Sequence, residues 1–259
     1  AVAKELNKRG MTASLDHLGE SVSDVGSARL ARDDYLACLD EIEAQGLDAN
    51  VSVKLTQLGL ALDRELAIEA MRLIAGRAAE IGTSVTIDME DSPYTDATLD
   101  IYEAIQKEFG NVGVAVQSYL YRTGADVSRI APLGGNIRLC KGAYAEPESI
   151  AMTRKEHVDA SFATLTRQLM DQTAAKPAIA SHDDRLIDLT RTLVAGREAP
   201  FEFQMLYGIR TQLQEELVRQ GHPLRIYIPY GSEWYPYLTR RLAERPANTL
   251  FFMRALIGK

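Results

Sequence analysis

Cysteine, histidine and tryptophan are scarce in this 259-residue chain, which holds two, four and one of them. Two cysteines, Cys38 and Cys140, are too few for a disulfide framework and suit a reducing compartment. There is no CxxC, HExxH or His-x-His, and the histidines stand far apart. His17, Asp88 and His182 are the one set that could meet around a metal, and none is expected there. No apolar run reaches the ~18 residues of a membrane span, and the opening AVAKELNKRG lacks the apolar stretch of a secretion signal. Basic residues number 29 against 36 acidic ones, for a net charge of −7, with no long basic tract. Nucleic acid is therefore not an expected partner. The same balance argues against a strong polybasic membrane anchor, though not against weak peripheral contact. No stretch rich in Pro, Gly or Ser divides the chain, and no GxGxxG turn follows the first strand-like run, so an open nucleotide-binding sheet is disfavoured.

What is present is ordinary globular material, 46% apolar and 25% charged, long enough to bury about three quarters of its unfolded surface. Eight short apolar runs recur: 12–15, 51–55, 84–89, 112–116, 136–140, 178–180, 202–206 and 224–228. Several are β-branched and nearly continuous in apolar character, as strands buried on both faces are. Between them lie amphipathic segments. Residues 64–81 place Leu66, Ala70, Leu73, Ile74, Ala78 and Ile81 at helical spacing, with Asp63 as N-cap and Gly82 beyond the C-terminus. Helices are also expected at 31–44, 157–172, 184–194, 209–219 and 233–243, and those after the third and fourth strands are less clearly marked. Strand–helix alternation implies parallel strands. Eight units of about 32 residues match one (β/α)8 barrel better than two domains. The fold class expected is thus α/β, with residues 1–259 forming a single (β/α)8 TIM-type barrel.

A barrel of this kind builds its site at the C-terminal ends of the strands. The residues there are Asp16 and His17, Lys54, Asp88 and Glu90, Gln117 and Ser118, Arg138 and Lys141, Ser181 and His182, Gln204, and Tyr227 with Tyr230. Any one of them could simply meet water; together they place mixed charge at one mouth. Lys54, embedded in NVSVKLTQ, requires a partner such as Asp88, or else serves as a Schiff-base nucleophile or an anchor for an anion. Arg138 is a second cation in a strand-like run. Lys141-Gly142-Ala143 is a turn able to receive a phosphate or a planar ring. Arg240 and Arg241 either bracket a carboxylate or lie on a solvated helix face paired with Glu244. Trp234 and the tyrosines around it form a lid over the mouth or pack the last helix.

The segments HLGE (17–20), VKLTQLGL (53–60), IDMEDS (87–92), RLCKGAY (138–144), SHD (181–183), FEFQMLYGIR (201–210) and YIPYGSEWYPYLTRRLAERPAN (227–248) occur in order. From about Gly10 onward the chain resembles the proline dehydrogenase family, in its monofunctional bacterial form. The resemblance implies a distorted (β/α)8 barrel that binds FAD without a Rossmann domain. It implies oxidation of L-proline to Δ1-pyrroline-5-carboxylate by hydride transfer to flavin N5, with electrons passed to a membrane quinone. By the same resemblance Asp88 and Arg138 are catalytic, Arg138 lying near the flavin ring. Lys54, Arg240 and Arg241 hold the proline carboxylate, Leu206, Tyr227 and Tyr237 wall the ring pocket, and Glu244 supports the arginine pair. Met89, Gln117, Lys141, Gly142, Ala143, Ser181 and His182 contact FAD. Cys140 stands where the family often has Val or Leu. The family's extra N-terminal helices are missing or short, so a trimmed catalytic core is expected. The cell location expected is cytoplasmic, with at most peripheral contact at the inner membrane face.

Overall fold

The computed structural model describes residues 1–231. Eight parallel strands close into a barrel in sequence order: β1 (Thr12–His17), β2 (Ala49–Val53), β3 (Val85–Ile87), β4 (Val112–Gln117), β5 (Asn136–Cys140), β6 (Lys176–Ala180), β7 (Glu202–Leu206) and β8 (Leu224–Tyr230). Closure is made by β1 on β8, with Ala13 opposite Ile226 and Leu15 opposite Ile228. Helix α1 (Val2–Lys8) precedes β1. The crossovers carry α2 (Val25–Ala44), α3 (Arg64–Glu80), α4 (Thr95–Phe109), α5 (Thr123–Ile130), α6 (Lys155–Met170), α7 (Asp184–Val194) and α8 (Thr211–Arg219). The barrel reading of the sequence holds, and β5, β7 and α7 match their expected limits.

Four boundaries differ in ways that bear on the site or its surroundings. Helix α2 begins at Val25 rather than at residue 31, because the Asp24 side chain accepts from the Ser27 N–H and caps it there. Strand β2 ends at Val53 and β3 at Ile87. Lys54 and Asp88 therefore stand just beyond their strands, at the mouth, not inside them. Strand β6 starts at Lys176, two residues early, because Pro177 is tolerated next to a strand start. The expected helix 233–243 lies outside the described residues.

The core is split between two sides of the sheet. Alternate strand residues (Val51 and Val53, Ile137 and Leu139, Phe203 and Met205, Ile226 and Ile228) belong to the apolar cluster shared with Tyr35, Leu39, Met71, Ile74 and Phe162 of the helices. The residues between them, Ser14, Asp16, Asn50, Ser52, Arg138, Glu202 and Gln204, are buried polar side chains. Arg138 of β5 reaches Ser52 of β2, and Tyr227 of β8 reaches Asp88 beyond β3, so these groups meet across the lumen. Branched apolar layers usually fill such barrels; here hydrogen-bonded charge occupies that space.

The β4–β5 approach is tight at Gly135, which holds φ +77 and would place a Cβ 2.3 Å from the Val112 carbonyl oxygen. Gly82 shares the conformation, φ +72, with nothing within 4 Å of that position. Alanine at either site pays the left-handed strain, about 1 kcal/mol. Gly135→Ala is expected to lose at least about 2 kcal/mol more in urea unfolding, from the backbone clash. Equal losses would contradict this account.

Candidate active site at the C-terminal mouth

Asp88 is the meeting point of the mouth. Its Oδ1 accepts from the Ser52 hydroxyl at 2.7 Å and pairs with Arg138 Nη1. Its Oδ2 accepts from Lys54 Nζ at 3.1 Å and from the Tyr227 hydroxyl at 2.7 Å. Lys54 also bonds Asp16 Oδ1 at 2.7 Å. The Lys54 side chain is 7% exposed and that of Asp16 fully buried. Of the alternatives for Lys54, a carboxylate partner is thus found twice over. Asp16, noted in the sequence only as a strand end, supplies the shorter contact. Two acids and two bases balance, which is the condition for burying such charges.

The electrostatics follow from this closure. Burial alone would raise the Asp88 carboxyl, but the Lys54 and Arg138 charges and the Ser52 and Tyr227 hydrogen bonds hold it well below the usual carboxylate range. Burial works against the Lys54 ammonium, yet Asp16, Tyr227 and Asp88 keep it charged above its ordinary range. Burial first, then Asp16 and Asp88, push the Tyr227 phenol upward, so it stays a neutral donor. The Arg138 guanidinium lies 5.1 Å from the Tyr227 ring centroid, and its Nε donates to Gln204 Oε1 at 2.6 Å.

The other sequence-predicted residues surround this group from neighbouring strand ends. Gln117 Nε2 donates to the Met89 carbonyl at 3.1 Å. Lys141 is bound by Asp159 and Asp183 rather than projecting freely. Gly142, at φ +120, lies against the Tyr119 ring, and Ala143 follows it half-buried. His182 Nε2 accepts from the Leu206 N–H at 3.0 Å, tying the β6 end to the β7 end, and the Ser181 hydroxyl accepts from the Asp183 N–H at 3.1 Å. Several buried polar atoms here have no hydrogen-bond partner among the described residues, among them Arg138 Nη2, Gln117 Oε1 and Asp16 Oδ2. Tyr237, Arg240, Arg241, Glu244 and Trp234 lie outside the described residues. Among the described residues no group of His, Cys, Asp and Glu is arranged to hold a metal, and none of the helices is long and apolar enough to cross a membrane.

The sequence reading missed Ser52 and Glu202 entirely and gave Gln204 no role. The available signal was polar residues every second position, as in V-S-V-K and E-F-Q-M-L, within runs read as continuously apolar.

The proline dehydrogenase family model matches residues 1–254. The chain belongs to the proline dehydrogenase family. Proline dehydrogenase 1 of Bacillus subtilis (strain 168) is 40% identical over 260 residues, covering 99% of this chain and 85% of that protein. The proline dehydrogenase of Deinococcus radiodurans is 37% identical over 97% of this chain and 84% of its own length. Among solved structures, proline utilization A from Bdellovibrio bacteriovorus, inactivated by N-propargylglycine, superposes with a TM-score of 0.88 at 25% identity. That match covers 96% of this chain and 31% of the longer one. Membership bears out the resemblance and makes the chain an oxidoreductase by family, with its mouth group at the barrel end where such enzymes work.

Glu90 adds a pH-sensitive group beside the site. Burial pushes its carboxyl up to about 7, although the Thr56 hydroxyl and N–H both bond it. A raised carboxyl contributes stability that is complete below its unfolded value of 4.5 and lost as pH rises through about 7. Between those pH values the wild type is expected to lose about 3 kcal/mol relative to Glu90→Gln in urea unfolding. Parallel profiles for the two proteins would contradict it.

Proposed function

We propose that this chain oxidises L-proline to Δ1-pyrroline-5-carboxylate, the first step of proline catabolism, with FAD as its cofactor. The observation that carries the reading is the buried Asp88–Lys54–Arg138–Tyr227 group at the strand ends of a chain that belongs to this family. Bound FAD would supply, at N5, the acceptor for the hydride that leaves the ring carbon beside the proline nitrogen. Its fit to the mouth is supported by Arg138 Nη2 and Gln117 Oε1, a buried donor and a buried acceptor without a partner among the described residues, since a flavin ring edge carries both kinds of group. Arg138, Met89, Gln117, Lys141, Gly142, Ala143, Ser181 and His182 would hold it.

The remaining work falls to the protein. Lys54 spends two of its three N–H groups on Asp16 and Asp88, leaving one for the substrate carboxylate. Because Lys54 and Arg138 are already neutralised, the net positive charge for that carboxylate has to come from Arg240 and Arg241. Leu206, Tyr227 and Tyr237 would exclude water from the ring, with Glu244 supporting the arginine pair. The proline nitrogen must be neutral to release a hydride. Asp88 is too weak a base, held as it is, to take that proton, so its part is to fix Lys54, Arg138 and Tyr227. The positive edge of Arg138 would stabilise charge gained by the cofactor. Reoxidation by a membrane quinone would need only peripheral contact with the inner membrane face from the cytoplasm.

A Schiff-base reading of Lys54 is disfavoured by its pairing, because an ammonium held by two carboxylates is not a nucleophile. The FAD-loaded protein is expected to be yellow and to bleach anaerobically with L-proline, and borohydride is expected to trap no adduct at Lys54. Arg241→Ala should weaken carboxylate ligands by about 2–5 kcal/mol. A colourless protein that cannot be reconstituted with FAD would overturn the proposal.

A further inference from the structure

Below the mouth, the lumen holds a second buried ion group that the proposed reaction does not use. Glu202, at the start of β7, accepts from Arg225 Nε at 2.8 Å and from Lys176 Nζ at 2.6 Å. It also accepts from Gln204 Nε2 at 2.6 Å. Arg225 and Lys176 outweigh the burial and bring its carboxyl down to about 2, so it is ionised throughout the working range. Gln204 sits one inward position above it, and its Oε1 accepts from Arg138 Nε at 2.6 Å.

Gln204 is thereby caught between two groups with opposite and fixed capabilities. A carboxylate only accepts hydrogen bonds and a guanidinium only donates them. The amide has one arrangement that serves both, NH2 toward Glu202 and oxygen toward Arg138. Turning it over would set acceptor against acceptor and donor against donor among buried side chains, where an unmet polar group is costly. Arg138 in turn is held at Nε by Gln204 and at Nη1 by Asp88 and Ser52. That leaves Nη2 as the guanidinium nitrogen with no partner among the described residues.

We propose that Gln204, oriented by Glu202 from the barrel floor, is a positioning residue for Arg138 that keeps the Nη2 edge presented to the cofactor side of the mouth. The idea rests on the proline dehydrogenase reading for its catalytic consequence, but not for its geometric one. Glu202 acts only through Gln204, so the pair behaves as one unit.

The test uses the full chain with Gln204→Met, Glu202→Gln and the exchanged pair Glu202→Gln with Gln204→Glu. The exchange restores a donor below and an acceptor above. In the cofactor-free protein, the Arg138 Nε–H signal in ¹⁵N NMR is expected to exchange with solvent slowly in the wild type. It should exchange at least about tenfold faster in Gln204→Met, as loss of a hydrogen bond to a charged group implies. In the FAD-loaded protein, Gln204→Met should lower the limiting rate of flavin reduction by proline about 10- to 100-fold. The half-saturating proline concentration should change less than about threefold, since the substrate contacts are untouched, and the flavin midpoint potential should become more negative. The exchanged pair should recover most of the rate and the slow exchange. A folded Gln204→Met protein with wild-type Nε–H exchange, rate and potential would overturn the inference. So would an exchanged pair that folds and recovers neither. A wild type that proline cannot reduce would instead overturn the proposed function, while the exchange measurement would still decide the positioning role.

Discussion

The ionised carboxylate of Asp88, desolvated inside a parallel barrel, is the constraint on which the mouth depends. Each of its oxygens takes two partners: Ser52 and Arg138 on one, Lys54 and Tyr227 on the other. Four strands or strand ends are thereby tied to one atom group. Remove its charge and two buried cations lose a counter-charge at once, a loss that typically costs about 3–5 kcal/mol for a single broken buried pair. Asp16 and Asp88 together keep Lys54 an ammonium, and burial with the repulsion of the same carboxylates keeps Tyr227 a neutral phenol. Protonation states at the site are consequences of packing around Asp88 and not independent choices.

A lumen filled this way differs from the apolar layers that fill most barrels, and the difference has a functional logic. Apolar layers would set no orientation for a guanidinium. A column of groups with fixed donor and acceptor character does, because each member has one arrangement that satisfies its neighbours. From the floor upward the order is Lys176 and Arg225, Glu202, Gln204, Arg138, Asp88, Lys54 and Asp16. Stability rests on the other face of the sheet, where Val51, Ile137, Phe203 and Ile226 pack on the helices. The sheet thus separates the two tasks, with the apolar face holding the fold and the polar face holding the chemistry.

The architecture was legible in the sequence because eight runs and their helices each carry a local signal. Asp63 before α3 and Gly82 after it mark that helix almost to the residue. Lys54, Asp88 and Arg138 were legible as charges that a buried strand cannot leave alone. Which partner each would take was not, since pairing depends on register across the lumen. Asp16 and Lys54 are 38 residues apart, and Arg138 and Gln204 are 66 apart. Glu202 between Phe201 and Phe203, and Ser52 between Val51 and Val53, carry no signal until the strand is known to have a lumen side. The start of helix α2 is hidden in the sequence because Val25-Gly26-Ser27 resembles a loop, and only the Asp24 cap marks its first turn.

The most direct measurement is a pH titration of the Asp88 side-chain carboxyl by ¹³C NMR in the folded protein. A carboxylate held by Lys54 and Arg138 predicts a shift that stays at its ionised value as the pH is lowered through the ordinary carboxylate range. It should move only when the protein itself unfolds. A titration midpoint near 4 or above, with the fold intact, would contradict the account.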